Sequence, residues 1–207
     1  MIAIIILKFF LLIVLLGSSA FESGRSLLRS RKHFILPFAV IAVFLLISYY
    51  ARMHFLEWQA NELTKYLLPP LNPDGWGYSA FYVFMRFYAQ YVAALVLAYV
   101  LIWAMTLMNR RHGERFFHTE EPYLAAAGVF LAGFPGLLYM LVMIIFVYLL
   151  AQLIVTAYKR EAVRITTYYL WLPAALIASA CVYFYSWQLP MFDLLKISGY
   201  FDLYQSL

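Results

Sequence analysis

Between Pro122 and Tyr158 the chain runs for 37 residues without one Asp, Glu, Lys or Arg. A helix of about 20 residues already crosses the roughly 30 Å apolar layer of a bilayer. The run is therefore too long for a single crossing and too apolar to face water. Composition points the same way, with 66% hydrophobic residues, 12% charged residues and a mean hydropathy of +0.81. Soluble domains carry about 45–50% apolar and about 25% charged residues, so a soluble globular enzyme is excluded. The fold class expected is all-α: a polytopic transmembrane helix bundle forming one integral membrane domain over residues 1–207.

Apolar runs predict about six spans. The first covers Ile2 to Phe21, the second Phe34 to Tyr50, and the third about Ser79 to Met108. Within the long run, Gly133-Phe134-Pro135-Gly136 interrupts helix formation, because proline lacks a donor and glycine permits a turn. That break at Gly133, Pro135 and Gly136 leaves a short fourth helix and a fifth starting near Leu137. The sixth runs from about Ile165 to Tyr185. Small residues at Gly17-Ser18-Ser19-Ala20 resemble a signal-peptide end. However, the basic cluster follows this segment instead of preceding it, so a retained helix is expected.

Six spans leave three links on one side, Glu22–His33, Asn109–Glu121 and Lys159–Arg164. They hold ten of the 15 Lys and Arg residues: Arg25, Arg29, Arg31, Lys32, Arg110, Arg111, Arg115, Lys159, Arg160 and Arg164. Short basic loops stay cytoplasmic, which places both termini outside a membrane read as the bacterial inner membrane. The outer loop 53–78 begins with a helix-compatible piece, His54 to Leu67. It passes Pro69-Pro70 and ends in the turn-forming Asn72-Pro73-Asp74-Gly75-Trp76-Gly77, so a short interfacial helix and an elbow are expected. The tail 187–207, aromatic and sparsely charged, is expected on the outer surface.

Polar residues inside apolar runs are few. Arg86 and Gln90 lie in the third span. Arg86 is expected to snorkel past Tyr82 or to pair with Glu57 or Glu62. Gln152 in the fifth span suits an interhelical hydrogen bond. The single cysteine, Cys181, reads as a small apolar filler, and His33, His54, His112 and His118 are scattered, so no metal and no cofactor are expected. Glu120-Glu121-Pro122 reads as a helix start, where carboxylates meet unsatisfied N–H groups and proline suits the first turn. Glu22 ends the first span on the same side. Glu22 and Glu120 are therefore the candidate catalytic carboxyls, since a facing pair can divide acid and base roles.

From Glu120 to about Tyr183 the chain resembles the type IV prepilin leader peptidases, membrane aspartyl proteases of the GxGD class. Glu120-Glu121-Pro122-Tyr123-Leu124-Ala125-Ala126-Ala127-Gly128 follows the rhythm of that family's small-residue helix. Phe134-Pro135-Gly136 matches its break, and Leu172-Pro173-Ala174 the start of its last helix. The resemblance puts Glu120 at the second catalytic aspartate and makes Glu22 the nearest counterpart of the first. The motif is degenerate: Phe117, His118 and Thr119 replace its glycines, and Pro122 its lysine.

The function expected from these features is a non-catalytic multi-pass subunit of a pilus, secretion or conjugation assembly. Its partners would be the lipid bilayer and other membrane subunits; nucleic acid is not expected. The alternatives are a divergent membrane protease and a small transporter or channel component.

Overall fold

The computed structural model describes residues 2–62, 64–67, 75–113, 116–159 and 167–185. Pro69-Pro70, the Asn72–Asp74 turn, Arg115, residues 160–164 of the third basic link and the 187–207 tail lie outside them. Every regular element among the described residues is helical: α1 (Ile2–Ala20), α2 (Glu22–Ser30), α3 (Lys32–Ala60), α4 (Gly75–Val83), α5 (Ala89–Arg111), α6 (Glu121–Ala132), α7 (Gly136–Lys159) and α8 (Trp171–Tyr185). A π-helical turn, Phe84–Tyr88, joins α4 to α5, and a single 3-10 turn spans Lys65–Leu67.

Four stretches are long and apolar enough to cross a bilayer: Ile2–Ala20, Lys32–Ala60, Ser79–Arg111 and Gly136–Lys159. The chain is an integral membrane protein. The piece from His54 is not a separate interfacial helix. It continues α3 without a break to Ala60, because nothing between Tyr50 and Ala60 is a Gly or Pro that would end the helix. The sixth apolar segment is shorter than its sequence suggests. A turn occupies Tyr168–Leu170, and α8 itself has 15 residues.

The shortest core element is the centre of the bundle. Eleven of the twelve residues of α6 are buried, and it packs against α5, α8, α3, α7 and α1. Small side chains explain the close approach, as usual where helices meet in lipid and packing replaces the hydrophobic effect. Ala125, Ala126, Ala127 and Gly128 of α6 are buried, as are Ala174, Ala175 and Ala178 of α8, and Gly128 lies against Ala175. A Cβ at Gly128 would stand 3.4 Å from the Ala175 Cβ and 3.5 Å from Met140 Cε, so even alanine would fill that space. Toward the other end of α6, the Phe130 ring stacks 6.3 Å from Phe44 of α3 and 6.1 Å from Tyr91 of α5.

Gly136 lies beside Ala132, and Met140 beside Gly128. Thus α7 runs back antiparallel along α6. Its buried residues are Gly136, Leu137, Met140 and Ile144, and none of Ile145–Lys159 is buried.

Candidate functional site

The first two basic links meet at one end of the bundle. The α1 end turns sharply into α2 there, with Gly24 so close to the Ser18 carbonyl that any Cβ would collide with it. Arg25 of α2 donates to the Tyr169 hydroxyl at 3.2 Å. Arg29 Nε approaches Glu120 Oε2 at 3.5 Å. Lys32, at the start of α3, lies 5.9 Å over the Tyr123 ring, and His33 meets the same ring edge-on at 4.9 Å. Residues of the first two basic links are thus neighbours, beside the start of α6 and the turn that precedes α8.

At this end α6 begins with two buried carboxyl groups. Glu121 is 0% exposed. Its Oε1 accepts from the Trp171 indole N–H at 3.0 Å and from the Thr167 hydroxyl, and its Oε2 accepts from the His118 backbone N–H at 3.2 Å. Three donors, from the second basic link, the residues just before α8 and α8 itself, therefore close on one side chain. Glu120 is 2% exposed and accepts from the Thr119 hydroxyl at 3.0 Å besides facing Arg29. Both carboxyls sit at the positive end of the α6 dipole, which favours them there.

Tyr168 packs into the same cluster and touches His118 edge-on, with ring centroids 5.4 Å apart. Burial, and then the neighbouring Glu120 charge, push its phenol up to about 12. Asn109 completes this end from α5. Its Oδ1 accepts from Phe116 N–H at 3.0 Å and Phe117 N–H at 3.1 Å, and its Nδ2 donates to the Phe117 carbonyl at 3.1 Å. This fixes the link leading into α6.

The opposite end of α6 is capped differently. At 1.5 Å per residue, twelve residues carry α6 about 18 Å from the basic end. Lys8 lies twelve residues before the end of α1, so it stands about as far from that end. It is 8% exposed, and its Nζ donates to the Ala132 carbonyl at 3.4 Å and lies 5.6 Å over the Tyr91 ring. Helix carbonyls that end buried within a bundle need a donor. Lys8 provides one at the negative end of the helix dipole. Gly133 follows with φ +69°, a left-handed conformation that glycine adopts without penalty.

The sequence candidates divide accordingly. Glu120 is at the centre of the basic-end cluster. Glu22 is exposed at the start of α2, about two helical turns from Arg29. It does not share the burial of Glu120, and the neighbour of Glu120 in this cluster is Glu121 instead.

Arg86, in the π-helical turn, donates to the Tyr82 hydroxyl and lies 5.9 Å over the Phe87 ring. It pairs with neither acidic candidate: Glu57 pairs with His54 at 3.6 Å and Glu62 with Lys65 at 2.6 Å. The reason is local, since each of those pairs lies three residues apart on the chain. Gln90 is buried on α5 and Gln152 half-buried on α7, away from Glu120 in sequence and element. Cys181 is a free, half-buried thiol, and no group of three His, Cys, Asp or Glu among the described residues is placed to hold a metal.

Sequence reasoning missed Thr167, Trp171 and Tyr168, which stand 46 or more residues beyond Glu121 and are tied to it or to Glu120 only by tertiary packing. It also missed Lys8, whose presence inside a span was the available signal, since a charge at that depth requires a partner. Comparison with protein-family models, curated proteins and solved structures finds no match.

Proposed function

We propose that this chain is a non-catalytic multi-pass subunit of a larger envelope assembly in the bacterial inner membrane. In this reading it crosses six times with both termini outside, and Gly133, Pro135 and Gly136 join the fourth crossing, α6, to the fifth, α7. The observation that carries the reading is the engagement of the two carboxyl groups. Glu121 accepts from Trp171, Thr167 and the His118 N–H, and Glu120 faces Thr119 and Arg29. Glu120 ties the start of α6 to α2, and Glu121 ties it to α8. A hydrolytic pair instead needs two carboxyls sharing one water, with environments that drive their pKa values apart.

Support for a partner subunit comes from α7. Past Ile144 it leaves Leu149, Leu153 and Ile154 exposed, the last two at 68% and 57%. A helix packed along only half its length offers a stripe for a neighbour's helix. The helix rhythm shared with prepilin leader peptidases directs the proposal toward pilus, secretion or conjugation machinery. That warrant is analogy of scaffold.

The test is a photo-cross-linking residue at Leu153 in native membranes. A discrete protein adduct is expected, and lipid adducts alone would overturn the subunit reading.

A second reading, a divergent leader peptidase, is favoured by one feature, the 2% exposure of Glu120 beside the basic links. Glu120→Gln separates the two. Processing of a pilin-like substrate should be unaffected if the chain is a subunit, whereas its loss in a correctly folded variant would establish the protease.

A further inference from the structure

We infer that a groove at the basic end, bounded by the start of α3, the end of α5 and the start of α6, binds a phosphoryl group. The groove encloses about 230 Å³, and its wall includes Lys32, His33, Asn109, Arg110, His118 and Thr119. It holds two permanent cations and two imidazoles, and no acidic side chain lines it.

The nearest acids are already engaged. Glu120 faces Arg29 and Thr119, and Glu121 is held by Trp171, Thr167 and the His118 N–H. Neither Lys32 nor Arg110 enters an ion pair among the described residues. A cavity with unmatched positive charge on a polar wall favours an anion.

The wall is also rigid. Tyr123 holds the Lys32 ammonium over its face at 5.9 Å and the His33 ring against its edge at 4.9 Å. Asn109 is locked by three hydrogen bonds to the Phe116–Phe117 backbone. Lys32, His33 and Asn109 are therefore positioned before a ligand arrives, which lowers the cost of binding. Arginine and lysine converging from different helices match the several oxygens of a phosphoryl group. Basic pockets between transmembrane helices on the side of the basic loops suit phosphate-bearing headgroups. The same chemistry serves an anionic phospholipid headgroup or a free phosphate.

The experiment uses the full chain purified in detergent. Native mass spectrometry measures retention of phosphatidylglycerol against phosphatidylcholine, and inorganic phosphate is titrated as competitor. Preferential retention of phosphatidylglycerol that phosphate does not displace identifies a lipid headgroup. Displacement by phosphate, or phosphate binding alone, identifies a free phosphoryl ligand.

Either result should weaken roughly fivefold in Lys32→Gln and in Arg110→Gln, and about thirtyfold in the double variant. Lys32→Arg, which keeps the charge, should restore it and so separates loss of binding from loss of fold. Arg111→Gln removes the same charge one residue away, outside the groove, and should leave binding unchanged. Equal weakening by Arg111→Gln and Arg110→Gln would reduce the effect to general surface charge and overturn the inference. No preference for phosphatidylglycerol together with no phosphate binding would overturn it as well.

Discussion

The two ends of α6 face the same physical problem and meet it in opposite ways. Both leave backbone groups without helical partners, and both lie inside the protein. The N-terminal end sits at the basic end of the bundle and uses a network in which Glu120 and Glu121 recruit Arg29, Thr119, Thr167 and Trp171. The C-terminal end lies buried within the bundle and uses one side chain, Lys8, borrowed from α1. Charge follows the helix dipole at each end, acidic at the start and basic at the finish. Redundancy differs between them. Near the boundary, polar groups are available from several links, whereas deep in the bundle every added polar group must itself be satisfied, so one long lysine serves.

The largest expected effect comes from attacking the network at its hub. Glu121→Ala leaves the Trp171, Thr167 and His118 donors without their acceptor. It should cost about 3 kcal/mol or more, measured by unfolding in mixed micelles, with Glu121→Gln costing less because it keeps the volume and one acceptor oxygen.

The single-residue cap should be less costly to remove. Lys8→Met preserves the apolar stem and strands only the Ala132 carbonyl, for about 1–2 kcal/mol. If Lys8→Met proved as damaging as Glu121→Ala, the contrast between a shared network and a lone cap would fail.

A smaller effect should appear in alkaline solution. The Tyr168 phenol is raised from its usual value near 10 to about 12, so an unfolded chain loses this proton before the folded one does. Its contribution is complete below about pH 10 and falls as pH rises toward about 12. Phenolate absorbance during unfolding should show this, and Tyr168→Phe should flatten the dependence.

The smallest effect is expected for Arg29→Gln. Arg29 is 64% exposed and its contact to Glu120 is 3.5 Å, so the change should fall within about 0–1 kcal/mol. A larger loss would make Arg29 a second hub and blur the distinction between the network's core and its rim.

Part of this arrangement is legible along the chain. The four long apolar stretches are, because a bilayer-spanning helix is a local property that needs length and apolarity alone. The start of α6 at Glu120-Glu121-Pro122 is readable as well, because acidic residues and proline favour a first turn through the adjacent backbone. Burial of the carboxyls is not legible in the same way. Glu22 is exposed at the start of α2, whereas Glu120 and Glu121 are buried, and exposure is set by which helix faces pack together.

The sequence by itself determined that the solvent is lipid, that the elements are helices, and that most positive charge gathers in three links. Each of those depends on residues close in the chain. Only the tertiary structure decided that Glu121 would meet Trp171, that Lys8 would meet Ala132, and that the groove beside Lys32 and Arg110 would lack a neutralising acid. Those outcomes depend on which helix faces are pressed together, and facing is set by packing between segments far apart in sequence.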